Sequence, residues 1–240
     1  MSPKYSTILS KAILTLTGVA LASFGATLSA RPRLQTGPDA EMSYDGLHLV
    51  DKAVMDMTWV KPDLDLAGYT QIMLVGAGMA FTPVDNAGQR YWPGRSNDTE
   101  FPISDESKLR LREEVGEVFR DELSELERYE VVDQPGRGVL MLVGSLIDIV
   151  SSVPPANACV GRCDFYLTSV GGATLVLELR DSMSDEVLVR AVDRRAAESN
   201  GWPIEANTVM VWSEVRRLAR TWGRIIRGRL DDLESVDDLR

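Results

Sequence analysis

Histidine occurs once in these 240 residues, at His48, and cysteine twice, at Cys159 and Cys163. A serine hydrolase needs an imidazole that takes and returns a proton, and His48 is the single candidate. It stands in a stretch, 31–61, interrupted by Pro32, Gly37, Pro38 and Gly46, which reads as an extended lead-in with little regular structure. No serine occupies a Gly-x-Ser-x-Gly elbow, since Gly144 directly precedes Ser145. Two cysteines and one distant histidine also fall short of the four ligands of a structural zinc site. Basic residues are outnumbered, 26 Lys and Arg against 36 Asp and Glu, for a formal charge of −10. That balance argues against nucleic acid or anionic lipid as a partner held by net charge. Long repeats, heptad arrays and low-complexity tracts are missing too, which excludes solenoids and extended coiled coils.

Acidic residues are absent from the first thirty positions, and this absence is informative. Lys4 and Lys11 precede an apolar run, 12–30, of Leu14, Leu16, Val19, Leu21 and Phe24 among Thr, Ser, Gly and Ala, ending in small residues at Ala30. The pattern reads as an export signal cleaved after Ala30. An uncleaved anchor is the alternative, because the run is long enough for a bilayer core, although its Thr, Ser and Gly make a poor span. Leu21, Ala22 and Ser23 fit a lipid-attachment box, but Phe24 stands where the acylated cysteine belongs. Removing this segment takes away two lysines and no acid, so the exported part moves from −10 to −12. Export makes a periplasmic location the expectation. Cys159 and Cys163 then read as a disulfide closing a small loop, with free thiols and a metal site as alternatives.

The remaining chain divides into a lead-in (31–65), a domain (66–233) and an acidic tail (234–240). Residues 72–80 form an apolar run with the length of a buried strand, ended by Pro83, and 139–150 has the two-sided apolarity of a central strand. A short strand is expected at 129–132. Strands at 174–180 and 186–193 flank a turn at 181–185 as a hairpin. Ser104 caps a helix opened by Asp105 and Glu106 and carried by Leu111, Val115, Val118, Phe119, Leu123 and Leu126. A second helix, about 207–230, gathers Trp212, Val215, Ala219, Trp222 and Ile226 on one side. The fold class that follows is α+β, a single domain with a mixed β-sheet and two amphipathic helices packed on one face. Its core should include Leu111, Val115, Phe119, Leu142, Leu146, Leu177, Val189, Trp212, Trp222 and Ile226.

Several features carry possible chemistry. Arg216, Arg217, Arg220, Arg224 and Arg227 form a stripe on the second helix that reads as a partner or anionic-lipid site, or as a solvated face balanced by the acidic first helix. Export removes nucleic acid from the choice. Long loops around Tyr91 and Trp92, around Cys159, and around Trp202 are binding candidates. Glu122 falls in the apolar arc of the first helix, where it is either an acid of raised pKa or a long side chain that meets an arginine. Asp63 and Asp65, near Asp51 and Asp56, lack the oxygen spacing and glycine of a calcium loop. Gly76 and Gly78 match the opening of a dinucleotide fingerprint, but Phe81 takes the third glycine position, leaving a bulge or close backbone approach.

The chain also resembles a known family. The carriers are 59–65 with Leu66 and Tyr69, the segment Tyr-Glu-Val-Val-Asp-Gln-Pro-Gly-Arg-Gly-Val-Leu at 129–140, Val-Asp-Arg-Arg at 192–195, and a closing helix with Trp212 and Trp222 among arginines. Together these are similar to bacterial envelope proteins grouped as domain of unknown function 3313, many of them lipoprotein-like, over about 46–233. The resemblance implies an envelope location and a compact strand-and-helix domain, and brings no catalytic residue, cofactor or metal. The leading expectation is a non-catalytic periplasmic accessory protein that binds an envelope protein or cell-wall component, with membrane association through the N-terminal segment if that segment is retained. A carboxylate-based hydrolase of envelope polymers, using Glu122 or an aspartate near Asp63, and a small-ligand binder using the aromatic loops are the alternatives.

Overall fold

Ser104 accepts a hydrogen bond from the Ser107 amide at 3.2 Å and starts helix α1 (Asp105–Leu123), with two acids in its first turn. Asn207 does the same for helix α2 (Thr208–Asp232), accepting from the Met210 amide at 3.0 Å. The computed structural model describes residues 31–84, 99–155, 164–199 and 201–233. Residues 1–30, read above as an export signal, together with Tyr91, Trp92, the cysteine pair and the acidic tail, lie outside those residues.

Among the described residues ten strands accompany the helices: β1 (Arg33–Leu34), β2 (His48–Asp51), β3 (Met57–Val60), β4 (Gln71–Phe81), β5 (Glu130–Val132), β6 (Val139–Ser151), β7 (Tyr166–Leu167), β8 (Ser169–Asp181), β9 (Val187–Glu198) and β10 (Ile204–Glu205). Eight form one sheet in the order β1-β2-β3-β9-β8-β6-β4-β5, and β7 pairs with β10 separately. β4 runs parallel to both β6 and β5, because α1 is the crossover that returns the chain in the same direction. The other pairs are antiparallel, so the sheet is mixed, with β6 between β4 and β8 and the expected β8–β9 hairpin beside it.

Leu140, Leu142 and Leu146 of β6, with Leu175, Leu177 and Leu179 of β8, line the face covered by both helices. They share one core with Val115, Val118 and Leu123 of α1 and Ala219, Trp222, Ile226 and Leu230 of α2. Leu111, Phe119 and Val189 pack against this core half-buried, while Trp212 is buried under the Arg110 guanidinium, 4.6 Å from its ring. The fold class is therefore as expected.

The lead-in corrects the sequence reading. Residues 31–61 supply β1, β2 and β3, which extend the sheet from β9, and Leu34, Val50, Val60 and Leu64 join the same core as Leu66. No packing boundary falls at residue 65. These strands are two to four residues long, too short to show a period of two; β3 pairs with β9, and β2 and β1 are added outward from it in turn. The loop before α2 likewise contains β10.

Candidate functional site

The arginine stripe of α2 meets the acids of α1. Arg216 donates to Glu114 at 2.8 Å, and Arg110 of α1 donates to the same carboxylate at 3.2 Å. Glu114 is held below the usual carboxylate range by the Arg216 hydrogen bond first, against the opposing effect of burial, and by Arg110. Arg217 turns back along its own helix to the buried Glu214 at 2.7 Å. Arg220, Arg224 and Arg227 converge on Glu122 at 4.0, 3.5 and 3.5 Å, and Arg227 also pairs with Glu125. The five arginines remain 25–63% exposed, so the stripe is both an interhelical ladder and part of the surface.

Glu122 is thus the residue that meets arginines, and Gly223 explains how it fits in an apolar arc. A Cβ on Gly223 would lie 2.8 Å from the Glu122 Cβ and 3.0 Å from its Cγ. The glycine lets the glutamate lie across α2 and reach the guanidinium groups on either side. This was not legible in the sequence, although a glycine between an i−3 and an i+4 arginine was a signal.

The other acids of the hydrolase reading are scattered. Asp63 is 73% exposed beside Lys61 at 3.6 Å, Asp65 accepts from the Ala67 amide at 2.9 Å, and Asp51 accepts from Gln35 at 2.8 Å. None shares a partner with Glu122, and the paired carboxylates that flank a glycosidic bond are not formed by them. His48 lies in β2, its Nδ1 2.9 Å from the Gln35 carbonyl oxygen. Asp56 accepts from the Arg194 amide at 2.8 Å and gives its own amide to Asp193 at 3.2 Å. Asp193 is 1% exposed and was not singled out from sequence; it accepts the Trp222 indole N–H at 2.7 Å and the Arg195 Nε–H at 2.5 Å. Val-Asp-Arg-Arg and the tryptophan helix, quoted separately above, meet here.

The sheet face opposite the helices carries a second ionic cluster. Arg190 donates to Glu178 at 2.8 Å and to Asp45 at 2.7 Å, and Arg180 donates to Glu178 at 2.9 Å. Burial opposes ionisation of Glu178, and the hydrogen bonds from Arg180 and Arg190 outweigh it, leaving its carboxyl below the ordinary range. Tyr69 donates to Asp181 at 2.9 Å, and burial with that bond pushes its phenol up to about 12.

Three concavities accompany these clusters. One of 410 Å³ lies between the sheet and the C-terminal end of α2, bounded by Met55, Leu179, Ala191, Leu230 and Arg229. A second, of 680 Å³, lies near the N-terminal ends of both helices, beside Arg110, Trp212 and Pro154. The third, of 360 Å³, separates α1 from β4, with Arg112, Gly116 and Arg120 on one rim, Gly76 and Gly78 on the other, and Leu142, Leu146 and Phe119 below. Trp202, 83% exposed, lines none of the three.

This third groove adjoins an open edge of the sheet. β5 pairs with β4 over Gln71, Ile72 and Met73 and then stops, while β4 continues to Phe81. Among the described residues no strand pairs with the outer side of 74–80, where Gly76, Ala77, Gly78 and Ala80 are exposed. The expected bulge is present as a register shift between Gly76 and Gly78, and Gly78 takes φ +123°, a conformation that glycine permits.

The chain belongs to the family described as "Protein of unknown function (DUF3313)", which matches residues 40–226. No curated protein matches it. Among solved structures it is similar to a PelC dodecamer protein from Paraburkholderia phytofirmans, at 12% identity and TM-score 0.31 over 71% of this chain and 98% of that one. A DUF330-family protein from Xanthomonas campestris matches at 13% identity and TM-score 0.37, over 69% and 90% of the two chains. A neuraminyllactose-binding hemagglutinin homolog from Helicobacter pylori matches at 10% identity and TM-score 0.37, over 70% and 86%. Among the described residues no helix is long and apolar enough to cross a membrane.

Proposed function

We propose that this protein is a non-catalytic accessory component of the bacterial periplasm, exported by residues 1–30, that binds another component of the envelope. One observation carries the reading. Among the described residues, the outer side of β4 over 74–80 is an uncharged, glycine-containing strand edge that no other strand pairs with, beside a groove, whereas exposed edges are ordinarily covered, charged or broken by proline. Such an edge is a surface for contact with another chain. The ionisable residues that sequence offered for catalysis support the same reading through their use: Glu122 joins two helices, Asp56 clamps β9, and the His48 ring faces the Gln35 carbonyl.

Chemical crosslinking in intact cells containing the full chain at high abundance tests it. The expected result is a discrete heterologous adduct recovered with the envelope fraction. Recovery of the uncrosslinked chain alone would overturn the reading.

A further inference from the structure

The groove between α1 and β4 contains two glycines for which the described chain gives no reason. A Cβ built on Gly76 or Gly116 would meet nothing within 4 Å among the described residues, and neither has a positive φ. Gly116 sits inside α1, where glycine costs about 1 kcal/mol relative to alanine, and Gly76 sits inside β4, where it weakens a strand. Gly223 shows the contrast, since a neighbour occupies the place of its missing side chain. The space kept free by Gly76 and Gly116 opens onto the unpaired edge.

Charge around that space is one-signed. Arg112, Gly116 and Arg120 follow each other at i, i+4 and i+8 on α1 and all three line the groove, whereas Glu113 and Glu117, on an adjacent stripe, do not. Both arginines are exposed, and neither guanidinium has an ion-pair partner among the described residues, unlike Arg110, Arg216 and Arg227.

We infer that this groove binds an extended peptide segment of another protein, which adds as a strand along 74–80, inserts alternate apolar side chains beside Gly76 and Gly116, and presents acidic residues to Arg112 and Arg120. The inference rests on the accessory-protein reading and names its partner chemistry. Strand addition supplies backbone hydrogen bonds for affinity and side-chain pockets for specificity. The guest occupies the slot that β5 vacates after Val132, and at about 3.3 Å per residue seven residues cover about 23 Å. A second copy of this chain fits less well: two β4 edges related by a two-fold axis would bring Arg112 and Arg120 of one copy towards those of the other.

The probe is a synthetic peptide of alternating valine and threonine with aspartate at both ends, compared with its lysine-ended twin on the full chain. Fluorescence anisotropy reads affinity, and amide hydrogen exchange locates the contact. The acidic peptide should bind at least about tenfold more tightly than its twin, with protection confined to 74–80. In Gly116→Leu the groove is filled and binding should be lost, while the melting temperature stays at or above wild type. Arg112→Glu with Arg120→Glu should invert the preference between the peptides. Equal binding of both peptides, binding retained in Gly116→Leu, protection elsewhere, or a dimer formed through β4 would overturn the inference. Cellular crosslinking separates the two levels. The same adduct from wild type and Gly116→Leu leaves the accessory reading standing without this site, and no adduct from wild type removes the accessory reading itself.

Discussion

The Asp193 carboxylate, inside the domain, accepts the indole N–H of Trp222 at 2.7 Å and so ties β9 to the middle of α2. The Asp56 amide and Arg195 donate to it as well, so the segment entering β3, the hairpin and the closing helix meet at one side chain. A buried carboxylate is stable when it is fully partnered, and removal of either side of the set leaves groups unsatisfied.

Asp193→Ala should therefore destabilise the fold by about 2–4 kcal/mol, because it leaves the buried Trp222 N–H and the Asp56 amide without their acceptor, while the Arg195 side chain, 34% exposed, keeps its contact with water. Trp222→Phe keeps most of the apolar bulk and should cost about 1–3 kcal/mol. Urea denaturation followed by far-UV circular dichroism measures both, and equal small effects would show that the bond contributes little.

Two helical glycines should respond with opposite signs. Gly223→Ala forces Glu122 away from α2 and should lower stability by about 1–3 kcal/mol. Gly116→Ala adds a methyl group into open space and should raise stability by about 0.5–1 kcal/mol. Thermal unfolding of the two variants beside wild type checks the pair.

Much of this architecture was legible in the sequence where periodicity was long. Helices α1 and α2, β6 and the β8–β9 hairpin each have enough residues to display their period, and the caps Ser104 and Asn207 mark the helix starts. β1, β2 and β3 were not legible, because strands this short owe their place to tertiary pairing, β3 on β9 and then β2 and β1 outward in turn. The arginine stripe was legible as a cluster, but its dependence on Glu114 and Glu122 needed the packing of two helices. Gly76 and Gly78 announced a bulge, whereas the open edge beside them follows from β5 ending at Val132, a tertiary fact.

Acid should weaken the fold through specific carboxylates. Asp45 is held low chiefly by its hydrogen bond from Arg190, Glu114 chiefly by that from Arg216, and Glu178 by Arg180 and Arg190 against its burial. Each folded pKa lies below its unfolded value, so the unfolded chain takes up protons first as pH falls. The stabilisation is complete above the unfolded values, about pH 4–5, and declines as pH drops through the folded ones. Urea midpoints at pH 7, 5 and 3 should fall most between the last two, and Glu178→Gln should flatten that fall. A midpoint unchanged down to pH 3 would contradict these assignments.

Intact mass reports on residues 1–30 and on the Cys159–Cys163 pair, both outside the described residues. Protein recovered from a cell-envelope fraction should lack residues 1–30 and be lighter by two hydrogens for a Cys159–Cys163 disulfide, gained back on reduction. Full-length mass would establish a retained N-terminal segment.

The central claim is that the β4 edge contacts another envelope protein, and a photo-crosslinking residue at Ala77 of the full chain in living cells tests it most directly. Ala77 is exposed on that edge, and Met183, 66% exposed in the β8–β9 turn, is the control. The account predicts one heterologous adduct from position 77 and none of that mass from position 183. No adduct from position 77, or the same adduct from both positions, would contradict it.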